Sequence, residues 1–270
     1  MTHPTTWRDY RTPGGTLDHA RIARALAGAR ASGQTLDLPL TDELDVPAGD
    51  AYRIQDELAA LRYAAGERRV GWKLGYTSAA MREQMGVTEP NFGPLTAPML
   101  LPSGTQVPSG ALQPRTEPEI GLRLARELAG PCTAEQALAA CSAAVACLEI
   151  VDSIWAGYRF RLPDNTADLS SAAWVVTGPE LPMRDLDQVR VVLSVDGAVL
   201  HTATGAAADG HPAQGLAWLA GQLTATGRTL QPGDLVITGG LTAAPYLSGH
   251  TVTAVFTPPA GPPVTVTVDG

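Results

Sequence analysis

Lysine is almost absent from this 270-residue sequence: of 19 lysine and arginine residues only Lys73 is lysine. An ammonium kept where guanidinium is otherwise always used marks a position that needs what arginine cannot give, a proton able to leave near neutral pH. Cysteine is nearly as scarce. Cys132, Cys141 and Cys147 are too few, and odd in number, for a disulfide framework, and with no His at metal-ligand spacing they read as packing residues. Basic runs are missing too, and the formal charge of −8 excludes a surface built for nucleic acid or an anionic membrane. A small metabolite is the expected partner. No stretch approaches the roughly 20 apolar residues of a membrane span, and Met1 to Arg11 hold no apolar run of the signal-peptide kind, so a cytoplasmic protein is expected.

Catalytic signatures are also wanting. Neither GxGxxG nor GxxxxGK[ST] occurs, so Gly239-Gly240 after the apolar run Leu235–Thr238 resembles a phosphate loop only superficially. No Ser sits in a G-x-S-x-G elbow, and the five histidines, at 3, 19, 201, 211 and 250, are scattered. A nucleotide site and a serine hydrolase both lack support.

What is present is a globular chain, 44% hydrophobic and 17% charged, long enough for one large domain or a small lobe plus a larger one. Apolar spacing predicts helices over about 17–32, capped by Thr16, and over 50–65, closed by Gly66 in a left-handed C-cap. From Val70 the pattern turns to short apolar runs punctuated by Gly and Pro. Ser78 can cap a short helix carrying Met81 and Met85, the proline-rich stretch from Asn91 to Pro114 reads as loop, and a Thr133/Gln136 capping box predicts a helix over 134–146. Strands are expected at 172–177, 189–195, 198–204, 234–238, 251–256 and 263–268, with Asp196-Gly197 as a hairpin turn. Pro212 opens one more helix, with Leu216, Leu219 and Leu223 on its apolar face. Without regular βα alternation, neither a Rossmann sheet nor a TIM barrel is expected.

Glu117-Pro118-Glu119 is the sharpest chemical signal. In a strand the side-chain period is two, so both carboxylates project from one face and repel unless a cation lies between them. Pro118 cannot donate to a sheet ladder and favours an edge or a strand end. Glu149 lies in the apolar run Cys147–Asp152, where a buried carboxylate is costly without a partner. Three carboxylates without His suit Mg²⁺ or Mn²⁺ better than Zn²⁺ or copper; a solvated acidic face is the competing reading. Lys73, between glycines and beside Trp72, is a candidate general acid/base whose pKa burial would lower toward neutrality, against a plain surface lysine. Leu162 to Ser171 is dense in turn formers and hydroxyls: Asp164, Asp168, Ser170 and Ser171 form either a polar wall for a ligand or an Asx-turn loop.

Together, Gly71-Trp72-Lys73-Leu74-Gly75 with Thr77-Ser78 and Met81, Pro90-Asn91-Phe92-Gly93, Glu117-x-Glu119, Leu148-Glu149-Ile150-Val151-Asp152 and Asp164-x-x-x-Asp168 resemble the 2-keto-4-pentenoate hydratase family. That family lies within the fumarylacetoacetate hydrolase superfamily and also contains 2-oxohept-3-ene-1,7-dioate hydratase and 4-oxalocrotonate decarboxylase. The likeness runs from Asp50–Gln55 to Gly233–Gly239 and Gly249. It implies an α+β fold: an N-terminal helical segment, residues 1–69, joined to a catalytic mixed β-roll, residues 70–270, usually in a large homo-oligomer.

The resemblance also implies a Mg²⁺ or Mn²⁺ site on Glu117, Glu119 and Glu149, where the metal chelates the 2-oxo oxygen and C1 carboxylate of a small 2-oxo acid, as Lewis acid and template. It makes Lys73 the proton-transfer residue; Asp168 and Ser170 are the further catalytic candidates, Asn91, Ser171 and Thr242 the substrate-binding ones, and Arg115, with Arg159 and Arg161, is a candidate for holding a second carboxylate. The implied reaction is hydration of a 2-hydroxy-2,4-dienoate, through its 2-oxo-enoate tautomer, to a 4-hydroxy-2-oxo acid, as in meta-cleavage aromatic catabolism. Three departures bear on this. Asn91 stands where an acidic residue is frequent, Leu169 where Asn is, and Gly239–Ala244 looks closer to the decarboxylase branch. The rival expectations are therefore a 4-oxalocrotonate-type decarboxylase, which shares the enolate, and a non-catalytic scaffold subunit paired with a pathway decarboxylase or hydratase.

Overall fold

The computed structural model describes residues 6–78, 82–83 and 86–270. Helix α1 spans His19–Ala31 and α2 spans Ala48–Ala64. Asp18, not Thr16, caps α1, accepting from Arg21 N at 3.0 Å, because Thr16 is held in a turn with Thr12. Gly66 follows α2 with φ +92°, the left-handed position expected of it.

A seven-stranded mixed sheet carries the centre of the molecule. β1 (Arg69–Gly75) pairs antiparallel with β2 (Asn91–Thr96) and parallel with β10 (Leu235–Ile237). β10 then pairs with β5 (Arg115–Leu124), β5 with β6 (Cys141–Val151), β6 with β7 (Ala172–Leu181) and β7 with β3 (Leu100–Pro102). The second sheet has the order β4 (Thr105–Gln106), β12 (Val264–Asp269), β11 (Thr251–Thr257), β8 (Arg190–Val195) and β9 (Ala198–Thr204). This is the mixed β-roll with an N-terminal helical segment that the resemblance implied. The β8–β9 turn is Asp196-Gly197, with φ of 49° and 81°, as a two-residue hairpin of the twisted kind requires.

Period-two alternation sorts the large sheet into two faces. Trp72 and Leu74 of β1, Ile120 and Leu122 of β5, and Ala144, Ala146, Leu148 and Ile150 of β6 join one apolar cluster. That cluster also takes Leu216, Leu219 and Leu223 of α5 (Pro212–Ala225) and the inner residues of the second sheet. The other face, with Val145, Cys147, Leu235 and Ile237, packs under α1 and α2 around Trp7, Ile22, Leu26 and Ile54. Lys73, Glu117, Glu119 and Glu149 belong by alternation to this second face.

Two sequence expectations are corrected. The helix expected over 134–146 is only α3 (Ala134–Leu138); its Thr133/Gln136 capping box forms, but the chain then enters β6. The small residues of β6 are buried on both faces of a central strand, and that burial overrides their helical preference. Cys141 and Cys147 therefore lie on a strand, where desolvation pushes their thiols up to about 11 and well beyond. The stretch from Asn91, read as loop, instead supplies β2, β3 and β4. Pro94 sits on β2, an edge strand, where its missing N–H costs no ladder bond. The short helix expected at Ser78 with Met81 and Met85 lies largely outside the described residues.

Candidate active site

Strand pairing delivers the acidic cluster. Glu117 on β5 is the direct register partner of Glu149 on β6, and Glu119 stands two residues along on the same row. Ligand oxygens of all three lie within 4.8 Å of one another. Glu119 and Glu149 are fully buried. Glu119 Oε2 accepts from Gly239 N at 2.7 Å, whereas Glu119 Oε1 and Glu149 Oε2 are shielded from solvent with no hydrogen-bond partner. Orphaned buried carboxylate oxygens facing one another are what a hard divalent cation satisfies, so the donor set fits such an ion.

Lys73, on the same face of β1, completes the cluster. Its Nζ donates to Ser170 O at 2.9 Å and lies 3.2 Å from Glu149 Oε1. Burial alone would lower its pKa, as the sequence suggested, but Glu149, Glu117 and Glu119 more than offset desolvation and the shift is upward. The carboxylates move the same way. Desolvation, then the charge of Glu149, pushes Glu117 up to about 7, and Glu119 and Glu149 are raised mainly by desolvation. This is a cluster short of positive charge.

The chain after β10 closes over the acids at Gly239-Gly240. Gly239 has φ +104° and a Cβ there would collide with Thr77 Oγ1; a Cβ on Gly240 would meet Glu117 Oε2 at 2.6 Å. The glycine pair is thus the close backbone approach to Glu117 and Glu119, not a phosphate loop.

Opposite, a short helix α4 (Leu162–Ala167) runs into the turn Leu169–Ser171. All three turn residues have positive φ, 51°, 56° and 56°, and none is glycine. Such strain persists only where neighbours over-determine it, and here they do. Ser170 Oγ donates to Asn91 Oδ1 at 2.8 Å, Asn91 Nδ2 donates to Asn165 Oδ1 at 2.8 Å, and Asn165 Nδ2 donates to Ser171 Oγ at 2.8 Å. Gln55 Nε2 of α2 ties Phe92 O and Thr166 O together at 2.8 and 2.7 Å. Asp168, fully enclosed, accepts from Ile154 N at 2.9 Å and faces Arg30 Nη2 at 3.4 Å; Arg30 also reaches Asp152 at 3.1 Å.

These elements enclose a cavity of about 260 Å³ lined by Lys73, Glu117, Ser170 and Ser171, among others. Arg115 lines it too, its guanidinium between the rings of Tyr158 and Tyr246, 4.5 and 4.2 Å from their centroids. Asn91 stands behind the wall, holding Ser170. Asp168 and Thr242 do not line the cavity: Asp168 anchors the strained turn to α1, and Thr242 Oγ1 donates to Ala243 O at 3.0 Å. Sequence reasoning passed over Tyr76, Tyr158, Phe160 and Asn165 as wall residues, and Arg30 as an anchor. Only Asn165 carried a signal, within the polar 162–171 segment.

Three carboxylates, two of them fully buried, converge beside a lysine on one face of a mixed sheet, a donor set that fits a hard divalent cation. The chain belongs to the fumarylacetoacetate (FAA) hydrolase C-terminal family, whose signature matches residues 74–262. It is 41% identical to a 2-keto-4-pentenoate hydratase of Burkholderia vietnamiensis over 230 residues, 82% of this chain and 87% of that one. It is 37% identical to a 4-oxalocrotonate decarboxylase of a Pseudomonas species over 227 residues, 83% of this chain and 88% of that one. Among solved structures, 4-oxalocrotonate decarboxylase from Pseudomonas putida G7, complexed with magnesium and adipate, superposes with a TM-score of 0.87 at 28% identity, covering 93% of this chain and 97% of that one.

Proposed function

We propose that the protein is a divalent-metal-dependent hydratase that adds water to a 2-hydroxy-2,4-dienoate, through its 2-oxo-enoate tautomer, to give a 4-hydroxy-2-oxo acid. The observation that carries this reading is the convergence of three carboxylates, two of them fully buried with unpartnered oxygens, beside Lys73 at a cavity that Lys73 and Glu117 line. The identity to the Burkholderia hydratase supports it. Glu117, Glu119 and Glu149 are the residues to hold the ion, Mg²⁺ or Mn²⁺ in this reading. Bound there, the ion supplies Lewis-acid polarisation of a 2-oxo acid and a template for its carboxylate.

Ketonisation needs one proton removed from the enol oxygen and one delivered to the far carbon, so a single group that both gives and takes a proton suffices. Lys73 Nζ is fixed for that by Glu149 and by Ser170 O. The turn Leu169–Ser171, braced by Asn91 and Asn165, keeps that carbonyl in place. Leu74, Val151 and Phe160 give the same cavity an apolar part of its wall. The same reading takes a cytoplasmic homo-oligomer as the working form, with a decarboxylase or hydratase of the same route as a partner.

The test is direct. With Mg²⁺, purified protein is expected to remove the ultraviolet absorbance of 2-hydroxypenta-2,4-dienoate without releasing CO₂. A second reading, 2-oxo acid decarboxylation, is favoured by the close superposition on the Pseudomonas putida decarboxylase. Stoichiometric CO₂ from a 2-oxo-enedioate transfers the assignment to it.

A further inference from the structure

Two tyrosines, Tyr76 and Tyr158, line the cavity, and they are committed differently. The Tyr158 hydroxyl is spent on the backbone, donating toward Val151 O at 2.9 Å and Gln113 O at 3.1 Å. The Tyr76 hydroxyl makes no hydrogen bond among the described residues, in a wall whose other polar groups are largely paired: Lys73 with Glu149 and Ser170, Arg115 with Tyr246, Ser170 with Asn91. The residue is only partly buried, so a ligand entering the cavity meets a donor committed to no other protein group.

The backbone at Tyr76 points the same way. It leaves β1 at φ +57°, a left-handed conformation that bulky residues avoid. Glycine would be the undemanding choice, and Gly75 precedes it. A strained tyrosine at the end of the strand that carries Lys73, on the rim of the acidic cluster, is an observed outlier at a candidate site rather than an accident of a loop. Desolvation, with the charge of Glu117, holds the phenol above its ordinary pKa, so at neutral pH it donates.

We infer that Tyr76 contacts the substrate, its hydroxyl donating a hydrogen bond to the C2 oxygen of the 2-oxo acid as that oxygen takes up enolate charge. This inference rests on the proposed 2-oxo acid chemistry and deepens it, because both hydration and decarboxylation build charge on the same oxygen. A donor aimed at developing charge strengthens from ground state to transition state. The Leu169–Ser171 turn then holds the acid–base lysine while Tyr76 receives the charge.

Tyr76→Phe tests it with the ring and its packing retained. Turnover is expected to fall by about 10- to 100-fold with KM little changed. The deciding measurement is calorimetric titration of oxalate, a planar mimic of the enolate with its carboxylate, into Mn²⁺-loaded protein. Oxalate affinity is expected to drop at least about tenfold in Tyr76→Phe, against unchanged Mn²⁺ affinity and an unchanged unfolding temperature. That result supports Tyr76 even if wild-type protein turns over neither the dienoate nor the dioate. Equal oxalate affinity in wild type and Tyr76→Phe overturns the inference and leaves the hydratase reading standing. Failure of the Mn²⁺-loaded wild type to bind oxalate overturns both.

Discussion

Gly240 shows how little room the acidic cluster leaves. A methyl group there would sit 2.6 Å from Glu117 Oε2, so Gly240→Ala must displace either the carboxylate or the strand-end loop. Since φ at Gly240 is not in the left-handed region, the backbone itself tolerates alanine, and the expected loss is in metal affinity, roughly tenfold or more by Mn²⁺ titration, with the unfolding temperature changed little. Lys73 is the complementary case. Lys73→Arg keeps the charge beside Glu149 but removes the exchangeable proton, and turnover is expected to fall by about 10²- to 10⁴-fold. Steady-state kinetics check it: unchanged kcat would remove Lys73 from proton transfer. The rarity of lysine in the composition thus marks a buried ammonium in contact with an acid and with the carbonyl of a strained turn.

Among the elements, the left-handed turn Leu169–Ser171 depends on a partner remote in sequence. Arg30, in the last turn of α1, reaches Asp152 at the end of β6 and Asp168 at the entrance to the turn. Both acids are buried, and they also accept backbone N–H groups from Leu112, Gln113 and Ile154. Desolvation still pushes Asp168 up to about 6, offset in part by Arg30. Arg30→Met leaves two enclosed carboxylates without their cation. Stability is expected to fall by about 3–5 kcal/mol in urea unfolding, and the residual folded protein should lose activity because the carbonyl that holds Lys73 is no longer braced. A loss below about 1 kcal/mol would show that the turn stands without α1. The N-terminal helices are in this sense part of the site, although the bonds they make reach Asp152, Asp168 and the 162–167 helix rather than the acidic cluster.

At the scale of the whole molecule, the carboxylate cluster makes stability depend on pH and on metal together. Glu117 titrates near 7 in the metal-free protein, above the ordinary carboxylate value of about 4.3, because burial and Glu149 oppose its ionisation. The folded state therefore holds this proton more tightly than the unfolded chain does. The corresponding stability is complete below about pH 4.3 and is lost as pH rises through about 7. Metal-free protein is expected to lose unfolding temperature across that window, and Mg²⁺ at about 100 times its Kd to return about 2.7 kcal/mol at the upper end. Because the proton must leave before the ion enters, apparent Mn²⁺ affinity should rise up to about tenfold per pH unit until about pH 7. Thermal scans with and without metal check the first expectation, and titrations at several pH values the second; a flat affinity across that range would place the ion elsewhere.

Much of this protein is written in local sequence, because local sequence controls what neighbours along the chain can do. The hairpin at Asp196-Gly197, the capping box at Thr133, the helix opening at Pro212 and the shared face of Glu117 and Glu119 follow from turn geometry, capping and period-two alternation. The acidic trio follows from the same spacing with Glu149 in its apolar run, and the resemblance from Asp50 to Gly249 supplied the β-roll. What the sequence could not determine is whatever depends on environment. The segment 134–146 reads as helix from its capping box and alanines, but from Cys141 it is a central strand, because burial on both faces outweighs propensity. Lys73 looked like an amine whose pKa burial would lower, yet three carboxylates from two other strands raise it. Asp168, expected beside Lys73 in catalysis or in a polar wall or turn, is an anchor for Arg30, 138 positions away. Register, burial and long-range charge pairing arise only when strands and helices distant in sequence are brought together, so tertiary structure alone decided the electrostatics of the site.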